Sequence, residues 1–203
     1  MTVLLGSPAL SGVNYDDKTK VLTVTGATTQ DQGTDIFMAF KEHKILTVVL
    51  SGSGGDFYQG LYIGRIFKKH NVDIVIPENH QCISACAFSA MADKNITLDG
   101  ELLFHLPYLR AVLTNTSILE TVQDFGNTYM DMAMYLTEMG ASVHFGKVLM
   151  SQTTTCKFLT VKDGAQMTKL LSAETPYAYV WIKHFPTDNC EMMRLLQMMG
   201  VQH

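Results

Sequence analysis

The 203-residue chain has 47% hydrophobic and 17% charged residues, a composition typical of a folded protein with a sizeable core rather than a disordered chain. Its formal net charge is −4 and it contains no run of Lys or Arg, so nothing favours a nucleic-acid partner. No segment approaches the roughly 20 apolar residues of a membrane helix, and no basic stretch opens a signal peptide. We expect a cytoplasmic protein that binds neither nucleic acid nor membrane.

Strand and helix patterns alternate in the first third of the chain. The predicted strands are Val21–Thr25, Ile45–Leu50 and Val72–Pro77, and the last two are continuous apolar runs, typical of strands buried on both faces. The predicted helices are Asp31–Lys44 and Phe57–His70, where apolar side chains recur at helical spacing. This alternation predicts a parallel sheet in which the last two strands are neighbours.

The remaining elements are mostly helical. The predictions are a buried helix at Ile83–Ala92, short strands at Ile96–Leu98 and Glu101–His105, helices at Ser117–Met139, Ser142–Ser151 and Thr160–Leu171, and a short Met-rich helix at Asp188–Met199. We divide the chain into one α/β domain, residues 1–175, and a C-terminal helical extension, residues 176–203. Surplus Met and Leu side chains on Ser117–Met139 and Asp188–Met199 predict a homo-oligomer or a place in a larger protein assembly.

The four cysteines are Cys82, Cys86, Cys156 and Cys190. Because no secretion signal is recognised, they are interpreted as reduced thiols. Cys82 and Cys86 have C-x₃-C spacing, which differs from the C-x₂-C of zinc and redox sites, and no second ligand pair follows. The sequence therefore predicts neither a metal site nor a cofactor.

Three short segments carry candidate chemistry. SGSGG (Ser51–Gly55) follows a buried strand, so its glycine N–H groups can face the edge of a parallel sheet where ligands bind. In CISACAF, Ser84 starts a helix, and its hydroxyl is either a helix cap or a nucleophile. In LLFHLPY, His105 ends an apolar strand and is either structural or a general base. Together the three segments point to a serine-hydrolase site.

The stretch from SGSGGDFYQG through CISACAFSA resembles the core of the Clp-type serine peptidases, and more closely their bacterial and phage relatives that carry a Cys-x-Ser-Ala-Cys segment. FHLP resembles the family's His-Gln-Pro segment, and TTTCKFLTVKDGAQ resembles a later run in which a catalytic Asp precedes Arg-Phe-Leu-Ser. The resemblance covers residues 45–171. It implies a ClpP/crotonase-like α/β fold of repeated ββα units, with a mainly parallel sheet flanked by helices, and an oligomeric peptidase acting on peptides or proteins.

The resemblance also implies roles for individual residues. Ser84 is the expected nucleophile and His105 the expected general base. Gly54 or Gly55, together with Ala85, are expected to form the oxyanion hole through their backbone N–H groups.

The third member of the triad departs from the family pattern. Cys156 stands at the position of the catalytic Asp, and a neutral thiol cannot stabilise an imidazolium as a carboxylate does. Asp163 and Asp131 are candidate substitutes. Two alternatives remain open. One is a catalytically inactive structural or assembly subunit, associated with a virion in a phage context. The other is a crotonase-type acyl-CoA enzyme, since VLSGSGGDFYQG resembles that family's glycine-rich stretch. The Asp that usually follows its last glycine is replaced here by Leu61.

Overall fold

The computed structural model describes residues 12–92, 96–107, 118–153, 157–164, 167 and 181–184. Its helices are α1 (Gln30–Glu42), α2 (Phe57–His70), α3 (Ala85–Ala90), α4 (Ile118–Glu138) and α5 (Val143–Gln152). Its strands are β1 (Gly12–Asp16), β2 (Val21–Thr25), β3 (Ala27–Thr28), β4 (Thr47–Leu50), β5 (Gly54–Gly55), β6 (Asp73–Ile76), β7 (Gln81–Ile83), β8 (Thr97–Leu98), β9 (Glu101–Phe104), β10 (Lys157–Val161) and β11 (Trp181–His184).

The strands form two larger sheets and one short pair. The first sheet has the order β1-β2-β4-β6-β8, in which only the β1–β2 pair is antiparallel. The second has the order β11-β10-β9-β7, in which only β9 and β7 are parallel. β3 pairs with β5. A mixed α/β fold is therefore confirmed, but the predicted mainly parallel architecture of ββα repeats is not, because the second sheet is largely antiparallel.

The predicted parallel neighbours lie side by side at the centre of the first sheet. In the β4–β6 pair, Val48 is opposite Ile74, and both side chains are fully buried. Leu50 and Ile76 are buried as well. Burial alternates along both strands, since Val49 and Val75 are only partly buried and Asp73 is exposed. The prediction that these strands are buried on both faces is therefore not confirmed.

Helix α2 shows how local sequence positions an element beside the site. It begins after Asp56, whose carboxylate accepts a hydrogen bond from the N–H of Gln59 at 3.0 Å. It ends at Asn71, which adopts φ +49°, a left-handed conformation that asparagine tolerates. Gly60 lies directly against Ala85 of α3, since a Cβ at this glycine would meet the Ala85 backbone. The two helices can therefore approach closely.

Several predicted elements differ in the structure. The helix expected at Ile83–Ala92 begins only at Ala85, because Gln81–Ile83 pairs with β9 as a strand. The helix expected to start at Thr160 is wrong there, since Thr160 lies inside β10 and pairs with Leu103. β11 falls within the predicted helical extension 176–203. The helix at Asp188–Met199 lies outside the described residues, and the domain boundary at residue 175 stays a prediction.

None of the helices in the described part of the chain combines the length and the apolar character needed to cross a membrane. The cytoplasmic and virion-associated locations stay predictions.

Candidate active site

Ser84 occupies the turn between β7 and α3. Its backbone has φ +56° and ψ −120°, a conformation that costs a non-glycine residue about 1–3 kcal/mol. Its N–H donates to the carbonyl of Leu103 at 2.8 Å, and its carbonyl accepts from the N–H of Phe88 at 3.0 Å. Within this described turn the Ser84 side chain makes no capping hydrogen bond to α3. The hydroxyl is therefore not a helix cap, and a strained serine between strand and helix is how other hydrolases expose a nucleophile.

The glycine turn lies directly against Ser84. Gly54 and Gly55 have φ +80° and +146°, values that favour glycine. A Cβ on Gly54 would lie 2.5 Å from the carbonyl oxygen of Ile83, 2.7 Å from the Ser84 Cβ and 3.1 Å from the nitrogen of Ala85. A side chain has no room there. The Gly54 backbone consequently lies beside the Ser84–Ala85 peptide, the neighbourhood that an oxyanion hole of two backbone donors requires.

His105 directly follows β9, the strand next to β7. The two strands are parallel with Ile83 opposite Leu103, so Ser84 and His105 leave neighbouring strands at the same edge of the second sheet. The His105 side chain is buried, at 4% exposure. Its ring packs on that of Phe158 in β10, with centroids 4.7 Å apart. The strand register therefore places the two predicted catalytic residues after the same ends of neighbouring strands.

Burial and one hydrogen bond determine the protonation of His105. Burial lowers the pKa of the imidazole from 6.5 to about 4, because the charged form loses its hydration, and the hydrogen bond to the carbonyl of Leu106 acts in the opposite direction. Nδ1 lies 2.7 Å from that carbonyl oxygen. Since a carbonyl only accepts, Nδ1 carries the proton and Nε2 carries the lone pair that a general base needs.

The third-member candidates lie on separate parts of the chain. Cys156 lies outside the described residues. Asp131 is on α4, and it adds to the hydrogen bond from Arg65 to Glu138 that raises the pKa of the guanidinium. Asp163 lies two residues beyond the end of β10. Burial and the hydrogen bond with the Leu106 carbonyl shift the pKa of His105 in opposite directions. Both substitutes stay predictions.

A disulfide joins Cys82 to Cys86, with Cα atoms 5.2 Å apart. The prediction that these two cysteines are reduced thiols is therefore wrong. Cys82 lies in β7 and Cys86 in the first turn of α3, so the C-x₃-C spacing reflects two side chains that meet across the strand–helix turn. Elsewhere in the described part of the chain, no group of three His, Cys, Asp or Glu side chains is arranged to hold a metal ion.

Comparisons with known proteins bear on the fold. No family model and no curated protein sequence matches the chain. Among solved structures, a mutant of ClpP1 from Listeria monocytogenes superposes with a TM-score of 0.51, covering 74% of this chain and 88% of that chain at 14% identity. The chain has a Clp-like fold. The sequence resemblance is thereby confirmed at the level of architecture, while the roles of individual residues rest on their own geometry.

Sequence reasoning missed three features of the site in this Clp-like fold. It missed strand β7, the disulfide and the carbonyl of Leu106 behind His105. A signal for the disulfide was present, because two cysteines four residues apart flank the predicted strand–helix turn. The carbonyl left no signal, since every residue carries one.

Proposed function

We propose that the chain is a serine hydrolase of Clp-like fold that cleaves peptide or protein substrates through an acyl-enzyme on Ser84. The Ser84 turn carries the proposal, because its backbone is strained while its hydroxyl makes no capping bond to the described helix that follows. Strain of this kind persists only where surrounding structure enforces it, and it clusters at active sites. The backbone hydrogen bonds of Ser84 with Leu103 and Phe88 contribute to holding it.

The chemistry follows from the atoms around the turn. Nε2 of His105 takes the hydroxyl proton as Ser84 Oγ attacks the carbonyl carbon of the substrate. The N–H groups of Ala85 and of Gly54 or Gly55 stabilise the oxyanion that forms. The imidazolium then returns the proton to the leaving amine, and an acyl-enzyme remains. Water, deprotonated by the same imidazole, releases the acid product and restores the serine.

The exposed face of α4 supports assembly. Val122, Phe125, Met130 and Met134, which we call the α4 apolar face, are 61%, 45%, 62% and 56% exposed. Large apolar side chains grouped on one helix are typical of a contact surface. We extend the proposal to a homo-oligomer, or a place in a larger assembly, in which this face is covered.

Labelling with a fluorophosphonate probe tests the function, because the probe phosphonylates only an activated serine. We expect the wild-type protein to be labelled at Ser84, located by mass spectrometry of the proteolysed protein. Ser84→Ala and His105→Ala should lose labelling, since nucleophile and base act as one unit. Ser89→Ala is the matched control, because Ser89 lies in α3, which directly follows Ser84, but its hydroxyl donates to the Cys86 carbonyl at 2.7 Å.

Stability measurements separate loss of chemistry from loss of fold. Ser84→Ala removes no capping bond within the described turn, so its thermal midpoint should stay close to that of the wild type. Folded wild-type protein with no label on Ser84 would refute the proposal and favour the inactive structural subunit.

A further inference from the structure

The disulfide encloses the proposed nucleophile. Cys82 precedes Ser84 by two residues and Cys86 follows it by two, so the covalent ring contains the whole turn from β7 into α3. Both cysteines are buried, at 0% and 2% exposure. The proposed reaction uses neither sulfur, so the reason for a bond at this place has to be sought in the conformation of the turn.

Local forces alone do not hold this turn. The backbone of Ser84 is in a region that L-residues disfavour. Helix α3 has six residues, too few to be stable by itself, and in the described turn the Ser84 hydroxyl does not cap it. A chain with these properties would relax toward an ordinary conformation unless another constraint opposed it.

The disulfide supplies a local constraint rather than a general one. The two cysteines are only four residues apart, and closing so short a loop removes little conformational entropy from the unfolded chain compared with a long loop. Its main effect therefore falls on the conformation of the enclosed residues. The burial of both sulfurs also means that a reductant reaches the bond only when this region opens.

We infer that the Cys82–Cys86 disulfide is a positioning device for the nucleophile, which holds Ser84 in the conformation needed for acylation. This inference rests on the proposed function. The cysteines are positioning residues, because they act through the Ser84 backbone and do not touch the reacting atoms. A bond that merely stabilised the fold would change how much protein is folded, but not how fast the folded protein reacts.

The test compares wild type, Cys82→Ala/Cys86→Ala and Cys190→Ala, a control that removes a cysteine outside the ring. Mass spectrometry after alkylation without reductant first establishes that Cys82 and Cys86 are bonded. Fluorophosphonate labelling is then measured as separate values of kinact and KI, per mole of folded protein. We expect kinact of the double variant to fall at least tenfold with little change in KI, while Cys190→Ala keeps the wild-type values.

Hydrogen exchange gives a readout that does not depend on catalysis. The amide of Ser84 donates to the carbonyl of Leu103 in β9, and the amide of Phe88 donates to the carbonyl of Ser84. The protection of both amides should fall in the double variant, whereas amides of α1 should keep theirs. If the double variant does not fold, wild-type protein titrated in thiol–disulfide buffers replaces it, and labelling should then follow the bonded fraction.

The outcomes separate the two proposals. If the wild-type protein is not labelled but the turn still loses protection in the double variant, the hydrolase proposal is refuted and the positioning role of the disulfide stands. If the wild-type protein is labelled, and both kinact and protection are unchanged in the double variant, the positioning role is refuted and the hydrolase proposal stands. Free thiols at Cys82 and Cys86 in the native protein would refute the positioning role of the disulfide.

Discussion

Because His105 is buried, the free energy of unfolding of this protein depends on pH. His105 has a pKa of about 4 in the folded state, against 6.5 in the unfolded chain. Between these values the unfolded state binds a proton that the folded state does not. The free energy of unfolding therefore falls by about 1.4 kcal/mol for each pH unit below 6.5. Above pH 6.5 this loss is absent, and by pH 4 the free energy of unfolding has fallen by about 3 kcal/mol.

Urea unfolding at pH 7.5, 6.5, 5.5 and 4.5 measures this loss in wild type and in His105→Asn. Asparagine does not titrate, and its amide can still donate to the Leu106 carbonyl, which now accepts from Nδ1 of the histidine. We expect the variant to be less stable at pH 7.5 but to lose less stability on acidification. His80→Asn, at an exposed histidine, controls for loss of an imidazole as such. Equal pH slopes in wild type and His105→Asn would refute the burial argument.

Three further predictions follow from the site and the surface. Gly54→Ala places a methyl group against the Ser84 turn at φ +80° and should lower Ser84 labelling at least tenfold. The control Gly126→Ala, where a Cβ meets nothing within 4 Å, should leave labelling intact and stabilise α4 by about 0.5–1 kcal/mol. Equal labelling of the two variants would contradict the close packing of Gly54 on the Ser84 turn. Cys156→Asp should raise the labelling rate by orders of magnitude if a carboxylate is all that the triad lacks, and no gain would mean that this position does not reach His105. Light scattering at micromolar concentration should show an oligomer, and Met130→Glu/Met134→Glu should dissociate it if the α4 apolar face is the interface; a wild-type monomer would contradict the proposed assembly.

Local patterns predicted the elements whose structure is determined locally. The helix predicted at Phe57–His70 has the bounds of α2, because its cap, its apolar face and its left-handed end are all encoded within a few residues. The apolar runs of β4 and β6 likewise predicted their pairing.

Pairing between distant segments decided the elements that the sequence missed. Gln81–Ile83 has no helical or alternating pattern of its own and becomes a strand because β9 lies beside it. Thr160 looked like a helix cap but pairs with Leu103, more than 50 residues away. Contacts between distant segments also determine the candidate site. Ser84 and His105 were recognisable by type, but the contact of Gly54 with the Ser84 turn comes from the tertiary fold.

In the proposed hydrolase, where the sequence resemblance puts Cys156 at the acid position, the Leu106 carbonyl supplies one of the two roles of the missing carboxylate. A triad carboxylate has two roles: it fixes the tautomer of the histidine, and it stabilises the imidazolium that forms during attack. Replacing it by an amide costs about 10⁴ in turnover, chiefly because the wrong tautomer results. The Leu106 carbonyl can only accept, so it keeps the proton on Nδ1 and retains the first role. It carries no full charge, and burial lowers the pKa of His105 to about 4, so the second role is weakly filled. The site should therefore react slowly but with the correct geometry.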